Sequence, residues 1–292
     1  MKYSFLLPAY KSCFLEEALL SIQRQTFQDF SVIISDDCSP EPIYSVVLPF
    51  LSDSRFSYRR NNENIGAEHL VSHWNLLLGE CHSPYLIMAG DDDSYEPSFL
   101  EEMDKLVTRY REVNLFRSRM DVIDQSFRIT QTEKPFDEFE EMTAFVNDMF
   151  KEHLHGIGQY IFKTDYLTSL GGFKYFPLAW FSDDATAILC SNHGTAHSHE
   201  ILFHLRNSGL NISTISNNIL FDELKCNATV AFYQWFRKLH LSSDYSYCYS
   251  KLGEIWGRLP LSYRFKTLWS VPGFTSWRIK NSFNSLFKRA HL

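Results

Sequence analysis

Three features are scarce in this chain of 292 residues, and each scarcity excludes a class of protein. Its six cysteines include no close pair, which excludes a CxxC redox centre and a cysteine-ligated zinc site. It has no run of about 18 uninterrupted apolar residues, so no transmembrane helix is predicted. The loop after its first apolar run, P-A-Y-K-S at 8–12, contains no glycine. That absence counts against a dinucleotide oxidoreductase and against a nucleotidyltransferase with a glycine-rich phosphate loop.

No signal peptide is predicted at the start of the chain, because its first residues run directly into a predicted strand. We therefore expect reduced thiols and a cytoplasmic location, with any membrane contact peripheral and at the inner face of the cytoplasmic membrane. The net charge of −7 argues against a general nucleic-acid binder, and a hydrophobic content of 45% predicts a sizeable core.

The charge of the chain is unevenly distributed. No acidic residue follows Glu254, whereas basic residues stand at 258, 264, 266, 278, 280, 288 and 289. The same tail, 255–292, contains Trp or Phe at 256, 265, 269, 274, 277, 283 and 287. A basic, aromatic segment is suited to the surface of an anionic membrane. The alternative is a helical extension that packs on the rest of the chain and exposes a basic face to solvent.

Strand and helix patterns alternate along the first two thirds of the chain. Short apolar, β-branched runs predict strands at 3–7, 30–35, 56–59, 85–89, 114–117 and 201–206, with an extended segment at 156–162. Helical spacing is found at 14–25, 44–51, 69–79, 99–110, 164–170 and 184–190, and again beyond about residue 216. This alternation predicts an α/β fold with a parallel sheet, whose ligand crevice lies at the carboxyl ends of the strands.

Two acidic clusters directly follow predicted strands. They are Asp36-Asp37 and the run Asp91-Asp92-Asp93, and we expect both at the same edge of the sheet. Three adjacent carboxylates repel one another unless they are solvated or neutralised by a cation, and Mg²⁺ or Mn²⁺ prefers such hard oxygen ligands. From composition alone, the run is either a metal site or a solvated turn that caps the next helix. Asp36-Asp37 is likewise a nucleotide contact or an Asx turn.

The order of several motifs resembles that of the family 2 glycosyltransferases. The chain has P-A-Y at 8–10, F-L-E-E-A-L at 14–19, S-I at 21–22, Q-T-F at 25–27 and V-I-I-S-D-D-C-S at 32–39. The usual family pattern is P-x-Y-N, then F-L-x-E-A-L-x-S-I-x-x-Q-T, then I-x-V-D-D-G-S. Further along come N-I-G at 64–66, A-G-D-D-D-S-Y-E-P at 89–97, G-G-F at 171–173 and S-D-D at 182–184. The resemblance covers roughly residues 1–215.

The resemblance implies a GT-A fold, which is a Rossmann-like, mostly parallel sheet flanked by helices. It also implies a nucleotide-diphosphate sugar donor, expected to be UDP-linked, a divalent metal (Mg²⁺ or Mn²⁺), and inversion at the anomeric carbon. We expect a glycosyltransferase domain at 1–215, with a nucleotide-binding half at 1–97 and an acceptor half at 98–215. A helical, basic and aromatic C-terminal extension would occupy 216–292.

Site residues follow from the matched motifs. The resemblance implies that the nucleotide sugar contacts Pro8, Tyr10, Asp37, Asn64, Asp91 and Arg206, that the metal is bound by Asp92 and Asp93, and that the acceptor contacts Gly172, Phe173, Trp180 and Asp183. Asp184 aligns with the general base, which takes the proton of the acceptor hydroxyl during attack. A single base without a covalent nucleophile gives inversion. The alternative role of Asp183 and Asp184 is to cap the N-terminus of the following helix.

Three positions depart from the family pattern. Gly90 stands at the first Asp position of the D-x-D element, Lys11 replaces the usual Asn, and Cys38 replaces the usual Gly. His204 is a further candidate for the metal shell, although a structural histidine is the commoner outcome. Trp180 is predicted either to stack on a sugar or to pack in the core.

The sequence therefore predicts an inverting, metal-dependent hexosyltransferase that acts on a glycan or a lipid-linked acceptor in surface polysaccharide synthesis. The alternative is a catalytically silent module that binds sugar nucleotides or glycans, an alternative that Gly90 keeps open.

Overall fold

The structure is a computed structural model that describes residues 1–151, 153–215 and 218–281. Its strands are β1 Tyr3–Ala9, β2 Phe30–Asp36, β3 Phe56–Arg60, β4 Tyr85–Met88, β5 Ser94–Tyr95, β6 Leu115–Ile123, β7 Ile129–Thr132, β8 Phe139–Glu140, β9 Tyr160–Lys163 and β10 Thr195–Arg206. Its α-helices are α1 Leu15–Gln23, α2 Ile43–Val47, α3 Leu70–Leu78, α4 Phe99–Arg109, α5 Met142–Met149, α6 Thr164–Ser169, α7 Ser182–Cys190, α8 Ile219–Leu239, α9 Ser246–Trp256 and α10 Leu261–Ser270.

These strands form one twisted sheet with the order β3-β2-β1-β4-β9-β6-β10-β5. The first four strands are parallel, as predicted, because α1, α2 and α3 each cross from one strand to the next. Beyond β4 the sheet is mixed: β9 runs antiparallel to both β4 and β6, while β10 is parallel to β6. The short strand β5, which was not predicted, pairs with β10 in antiparallel orientation.

Alternate side chains of the central strand β1 enter different cores. Phe5 and Leu7 lie in a cluster with α1 and α4, whereas Leu6 lies in a cluster with α3 and α7. This alternation is the period-2 geometry of a strand, and it explains why the strand is apolar from Phe5 to Ala9. Helices cover both faces of the sheet, which is the architecture of the GT-A fold.

Several predicted elements differ in extent from those observed, and one of them, the strand predicted at 201–206, begins at Thr195. The predicted helix at 44–51 is α2 followed by a 3₁₀ helix, Leu48–Ser52. Pro49 causes this change because it has no amide N–H to continue the α-helical hydrogen bonds. The predicted strand at 114–117 extends to Ile123, since its partner β10 is 12 residues long.

The C-terminal helices share a core with the rest of the chain. Phe232 of α8 stacks on Phe181 at a centroid distance of 4.4 Å, and Leu252 and Ile255 of α9 are fully or almost fully buried. The division of the chain at residue 215 stays a prediction. Among the described helices, none is both long enough and apolar enough to cross a membrane. All six cysteine thiols are unpaired.

Candidate active site

A cavity of about 930 Å³ lies at the carboxyl ends of β1, β2 and β4. The structure brings most of the predicted site residues to its wall: Pro8, Tyr10, Asp37, Asn64, Asp91, Asp92, Trp180, Asp183, Asp184 and Arg206. It does not bring Asp93, Gly172 or Phe173 there. Because β1 lies between β2 and β4, the loops after all three strands meet at one edge, as the two acidic clusters predicted.

The acidic turn after β4 is bonded to the loop after β1. The Oδ2 atom of Asp91 accepts hydrogen bonds from the backbone N–H groups of Tyr10 (2.9 Å) and Lys11 (2.8 Å). The ammonium of Lys11 lies 2.7 Å from Oδ2 of Asp92 and 3.4 Å from Oδ1 of Asp91. Burial acts to lower the pKa of Lys11, but the charges of Asp91 and Asp92 raise it above its usual value. Lys11, which replaces the usual Asn of the family pattern, thus supplies a cation at the acidic turn.

Asp93 points away from the cavity. Its Oδ1 accepts the backbone N–H of Arg206 at 3.0 Å, and burial raises the pKa of its carboxyl well above the usual range. Asp93, the second predicted metal ligand, therefore connects the acidic turn to the end of β10. The same packing explains Gly90, since a Cβ at that position would lie 2.5 Å from Oδ2 of Asp93.

The residues on the wall fit a hard divalent cation only as a partial shell. Asp91 and Asp92 present carboxylate oxygens, the ligands that Mg²⁺ and Mn²⁺ prefer. Within the part of the chain that the structure describes, no group of three or more His, Cys, Asp and Glu side chains is arranged to hold a metal. His204 does not line the cavity, and its Nε2 lies 2.9 Å from Oε1 of Glu96. A bound ion would therefore take its other ligands from a substrate phosphate or from water.

Two motifs that stand 27 residues apart bond directly on the opposite side of β1. Asp37 accepts the side-chain N–H of Asn64 at 3.0 Å and the backbone N–H groups of Ile65 (2.9 Å) and Gly66 (3.1 Å). A further hydrogen bond comes from the Asn61 amide at 2.9 Å. Asp37 thus fixes the loop that forms this wall of the cavity, and its carboxylate is anchored before any nucleotide binds.

Asp184 is paired with a histidine to which no role could be assigned from the sequence. Its Oδ1 lies 2.6 Å from Nδ1 of His155, whose ring stacks on Tyr247 at a centroid distance of 5.2 Å. Burial acts to lower the pKa of His155, but the charge and hydrogen bond of Asp184 raise it. All three residues line the cavity. The arrangement is a carboxylate–imidazole pair at the position predicted for the general base.

The segment before α7 is strained. Leu178, Ala179 and Phe181 are non-glycine residues with φ of 61°, 53° and 70°. Side chains rarely adopt this left-handed region, and such strain is found where a backbone is held for function. It places Asp183 and Asp184 in the first turn of α7, where burial and the charge of Asp184 raise the pKa of Asp183 to about 7.

Arg206 lines the cavity but its guanidinium is committed to protein groups. Its Nε donates to the Asp92 carbonyl at 2.8 Å, and one Nη pairs with the Glu17 carboxylate at 2.7 Å. Its Cζ lies 4.3 Å from the ring centroid of Phe14. The predicted contact with a diphosphate requires Arg206 to exchange at least one of these partners. In the free protein it clamps the acidic turn.

The G-G-F motif is a structural joint. The backbone N–H of Phe173 donates to Oδ1 of Asn75 at 2.7 Å, and the Asn75 amide donates back to the Phe173 carbonyl at 3.2 Å. Gly172 has φ +92°, and a Cβ there would lie 2.3 Å from Oδ1 of Asn75. Phe173 is buried against Trp74 rather than exposed to an acceptor. The motif therefore ties α6 to α3.

The C-terminal extension completes the wall. Trp180, which sequence reasoning left between stacking and packing, lies on the cavity wall, and its indole N–H donates to Thr229 of α8 at 3.2 Å. Tyr247 and Lys251 of α9 also line the cavity. Neither residue carried a signal in the sequence beyond their i, i+4 spacing on a helix, which many surface residues share.

The family model described as Glycosyl transferase family 2 matches residues 4–170, more than half of the chain. An uncharacterized glycosyltransferase from Methanocaldococcus jannaschii is 26% identical over 144 residues, which are 48% of this chain and 48% of that protein. The chain thus spans about half the length of the curated relative that it matches.

Solved structures share the fold at low identity. S. aureus TarS 1–349 in complex with UDP-GlcNAc matches with a TM-score of 0.69 and 15% identity, over 95% of this chain and 81% of that chain. Mannosyltransferase PcManGT from Pyrobaculum calidifontis, in complex with GDP-Man and Mn²⁺, matches with a TM-score of 0.57 and 14% identity, over 99% and 79% of the two chains.

Proposed function

The chain belongs to glycosyl transferase family 2, and from that premise we propose that it transfers a hexose from a nucleotide-diphosphate sugar to an acceptor hydroxyl with inversion. One observation carries the proposal. A single cavity collects the Asp91-Asp92 turn, the anchored Asp37 loop and the Asp184–His155 pair, although these groups are far apart in the sequence. Donor binding and proton removal need different groups, and this cavity holds both.

The donor would occupy the edge of the sheet between the loops after β1, β2 and β4. Pro8 and Tyr10 form one wall and the Asp37–Asn64 loop the other, which suits a base and a ribose. We propose a UDP-linked donor, a choice supported by the UDP-GlcNAc complex of TarS. The GDP-Man complex of PcManGT makes a guanosine donor the alternative to test.

The diphosphate would lie against the acidic turn. Asp92, with Asp91 beside it, would hold a divalent cation, which when bound supplies Lewis-acid stabilisation of the charge on the leaving diphosphate. Lys11 already contacts both carboxylates and donates three N–H groups. Its ammonium would move to a phosphate oxygen when the carboxylates take the cation.

Asp184 would act as the general base. It would accept the proton of the acceptor hydroxyl as that oxygen attacks the anomeric carbon, while the bond from this carbon to the diphosphate oxygen breaks. His155 would hold Oδ1 of Asp184 and so leave Oδ2 for the acceptor. The proton ends on Asp184, the sugar on the acceptor, and the electron pair of the broken bond on the diphosphate.

The acceptor would enter between α7 and α9. Trp180 offers an aromatic face and Tyr247 with Lys251 a polar one, which suits a sugar ring. We propose a glycan or lipid-linked acceptor in surface polysaccharide synthesis, at the cytoplasmic side of a membrane.

A panel of UDP-glucose, UDP-galactose, UDP-GlcNAc and GDP-mannose tests the proposal by thermal shift and by donor hydrolysis. Each donor is measured with Mn²⁺, with Mg²⁺ and with EDTA. We expect one UDP sugar to stabilise the protein and to be hydrolysed only with the metal. Stabilisation without hydrolysis or transfer to any acceptor would favour the silent binding module. If no donor stabilises the protein, the proposal is wrong.

A further inference from the structure

The outer side of α10 exposes three large apolar side chains. Leu261, Phe265 and Trp269 are 68%, 63% and 87% exposed. They stand at i, i+4 and i+8, so they form one stripe along the helix. Thr267, which is buried and bonds to Cys226, lies on the opposite side of α10. The helix is therefore anchored by one side and presents an apolar side to its surroundings.

Basic residues flank this stripe on both sides. At about 100° per residue, Arg264 lies to one side of it and Lys266 to the other. The guanidinium of Arg264 also donates to the backbone carbonyls of Leu259 and Gly257, so it contributes its charge from a fixed position. Between 255 and 281 there are five basic residues and no acidic one. Lys266 and Lys280 are exposed. We call the stripe Leu261, Phe265 and Trp269, with its basic flanks Arg264 and Lys266, the α10 face.

We propose that the α10 face lies on an anionic lipid bilayer. Apolar side chains with an indole among them, bordered by cations, match the boundary between headgroups and acyl chains. A second copy of the chain fits less well, because a two-fold contact would bring two basic faces together without acidic partners. Anionic headgroups supply the missing negative charge.

The structure also narrows the predicted membrane segment. Of the aromatic residues in the tail, Trp256 and Phe274 are buried and Trp277 is half-buried, so they belong to the core. Arg278 lies over the Trp256 ring at 4.6 Å, which commits that cation as well. Phe283 and Phe287, with Lys288 and Arg289, lie outside the described residues. Within the described part of the tail, the contact is thus assigned to α10.

The α10 face belongs to the helix that follows a cavity-lining helix in the chain. The preceding helix, α9, supplies Tyr247 and Lys251 to the cavity wall, and both helices pack on α8. A protein seated by α10 would hold this end of the cavity near the membrane surface, where a lipid-linked acceptor is presented. This consequence rests on the proposed function, whereas the membrane contact itself does not.

Vesicle sedimentation tests the proposal with the full chain. We compare vesicles of phosphatidylcholine alone with vesicles that also contain ~30 mol% phosphatidylglycerol as the anionic lipid. Both kinds are measured at low and at high salt. We expect binding to the anionic vesicles and a loss of roughly tenfold or more in affinity for the Phe265→Ser/Trp269→Ser variant. Lys266→Glu should weaken binding to anionic vesicles alone. Leu48→Ser is the matched control, since Leu48 is 52% exposed on another element.

Three outcomes would overturn the proposal. One is equal vesicle binding by wild type and the double variant. Another is no binding by the wild type. The third is a wild-type dimer that dissociates in the double variant, seen by analytical ultracentrifugation, without vesicle binding. Donor hydrolysis in solution separates the two ideas. A double variant that loses vesicle binding but keeps hydrolysis supports the membrane contact and shows that the cavity is intact. Hydrolysis absent from both proteins contradicts the proposed function and leaves the membrane contact to be judged by sedimentation alone.

Discussion

Replacing Asp184 with Asn removes the proposed base and leaves its volume unchanged. The amide oxygen can still accept the hydrogen bond from Nδ1 of His155, which now spans 2.6 Å. An amide cannot take the proton of the acceptor hydroxyl at neutral pH. We therefore expect the variant to fold, to bind the donor and to lose transfer.

The size of the loss follows from the two functions of Asp184. A positioned general base contributes about 10²- to 10⁴-fold, so the barrier should rise by about 3–5 kcal/mol. The hydrogen bond to His155 is kept but loses its charge assistance, which costs about 1–2 kcal/mol of folding free energy. Part of this cost is offset, because the charge of Asp184 also raises the pKa of Asp183. His155→Ala keeps the base but frees its carboxylate, and should lower kcat roughly 10- to 100-fold.

Single-turnover transfer and donor titration by calorimetry measure the two effects separately. Asp165→Asn, an exposed carboxylate on α6, is the matched control and should change neither. If Asp184→Asn keeps turnover within about threefold of wild type, the base assignment is wrong. If His155→Ala is as inactive as Asp184→Asn and its pH profile loses its acidic limb, the proton goes to the imidazole and Asp184 is the residue that orients it.

Two further changes test the acidic turn and the joint at α3. Lys11→Asn removes the ammonium that lies 2.7 Å from the Asp92 carboxylate, so Mn²⁺ should bind at least about tenfold more tightly in a paramagnetic resonance titration. Weaker binding would contradict the competition between ammonium and metal. Gly172→Ala should cost about 2–4 kcal/mol of unfolding free energy by denaturant titration, because its Cβ would lie 2.3 Å from Asn75. Gly171 also has a positive φ of +87°, but a Cβ there would meet nothing within 4 Å. Gly171→Ala should therefore cost only about 1–2 kcal/mol of unfolding free energy.

Local patterns in the sequence predicted much of the framework. The period-2 and period-3.6 spacing of apolar residues located β1, β2, β4 and the helices between them, because these periods are set by the backbone itself. The acidic clusters were expected at one edge, and the pairing of β1 with both β2 and β4 confirms it. The family was recognised from motif order, and the match over residues 4–170 confirms it.

Other features depended on contacts that no local pattern reports. His155 and Asp184 stand 29 residues apart, and Asn75 and Phe173 stand 98 apart. From the motif match Asp93 was expected to bind the metal beside Asp92, but packing turns its carboxylate toward the backbone of Arg206. The tail was one segment by composition, and burial divided its aromatic residues between a core and the exposed α10 face.

The sequence by itself determined the alternation of strands and helices, the acidic turn at a strand end and the family, since these depend on residues close to one another in the chain. Only the tertiary structure decided which carboxylates face the cavity, that Asp184 is paired with His155, and that α9 closes the wall. The physical reason is that side-chain direction at a turn is set by the partners available within hydrogen-bonding distance. Those partners come from distant segments that meet only when the cores on the two faces of the sheet are packed.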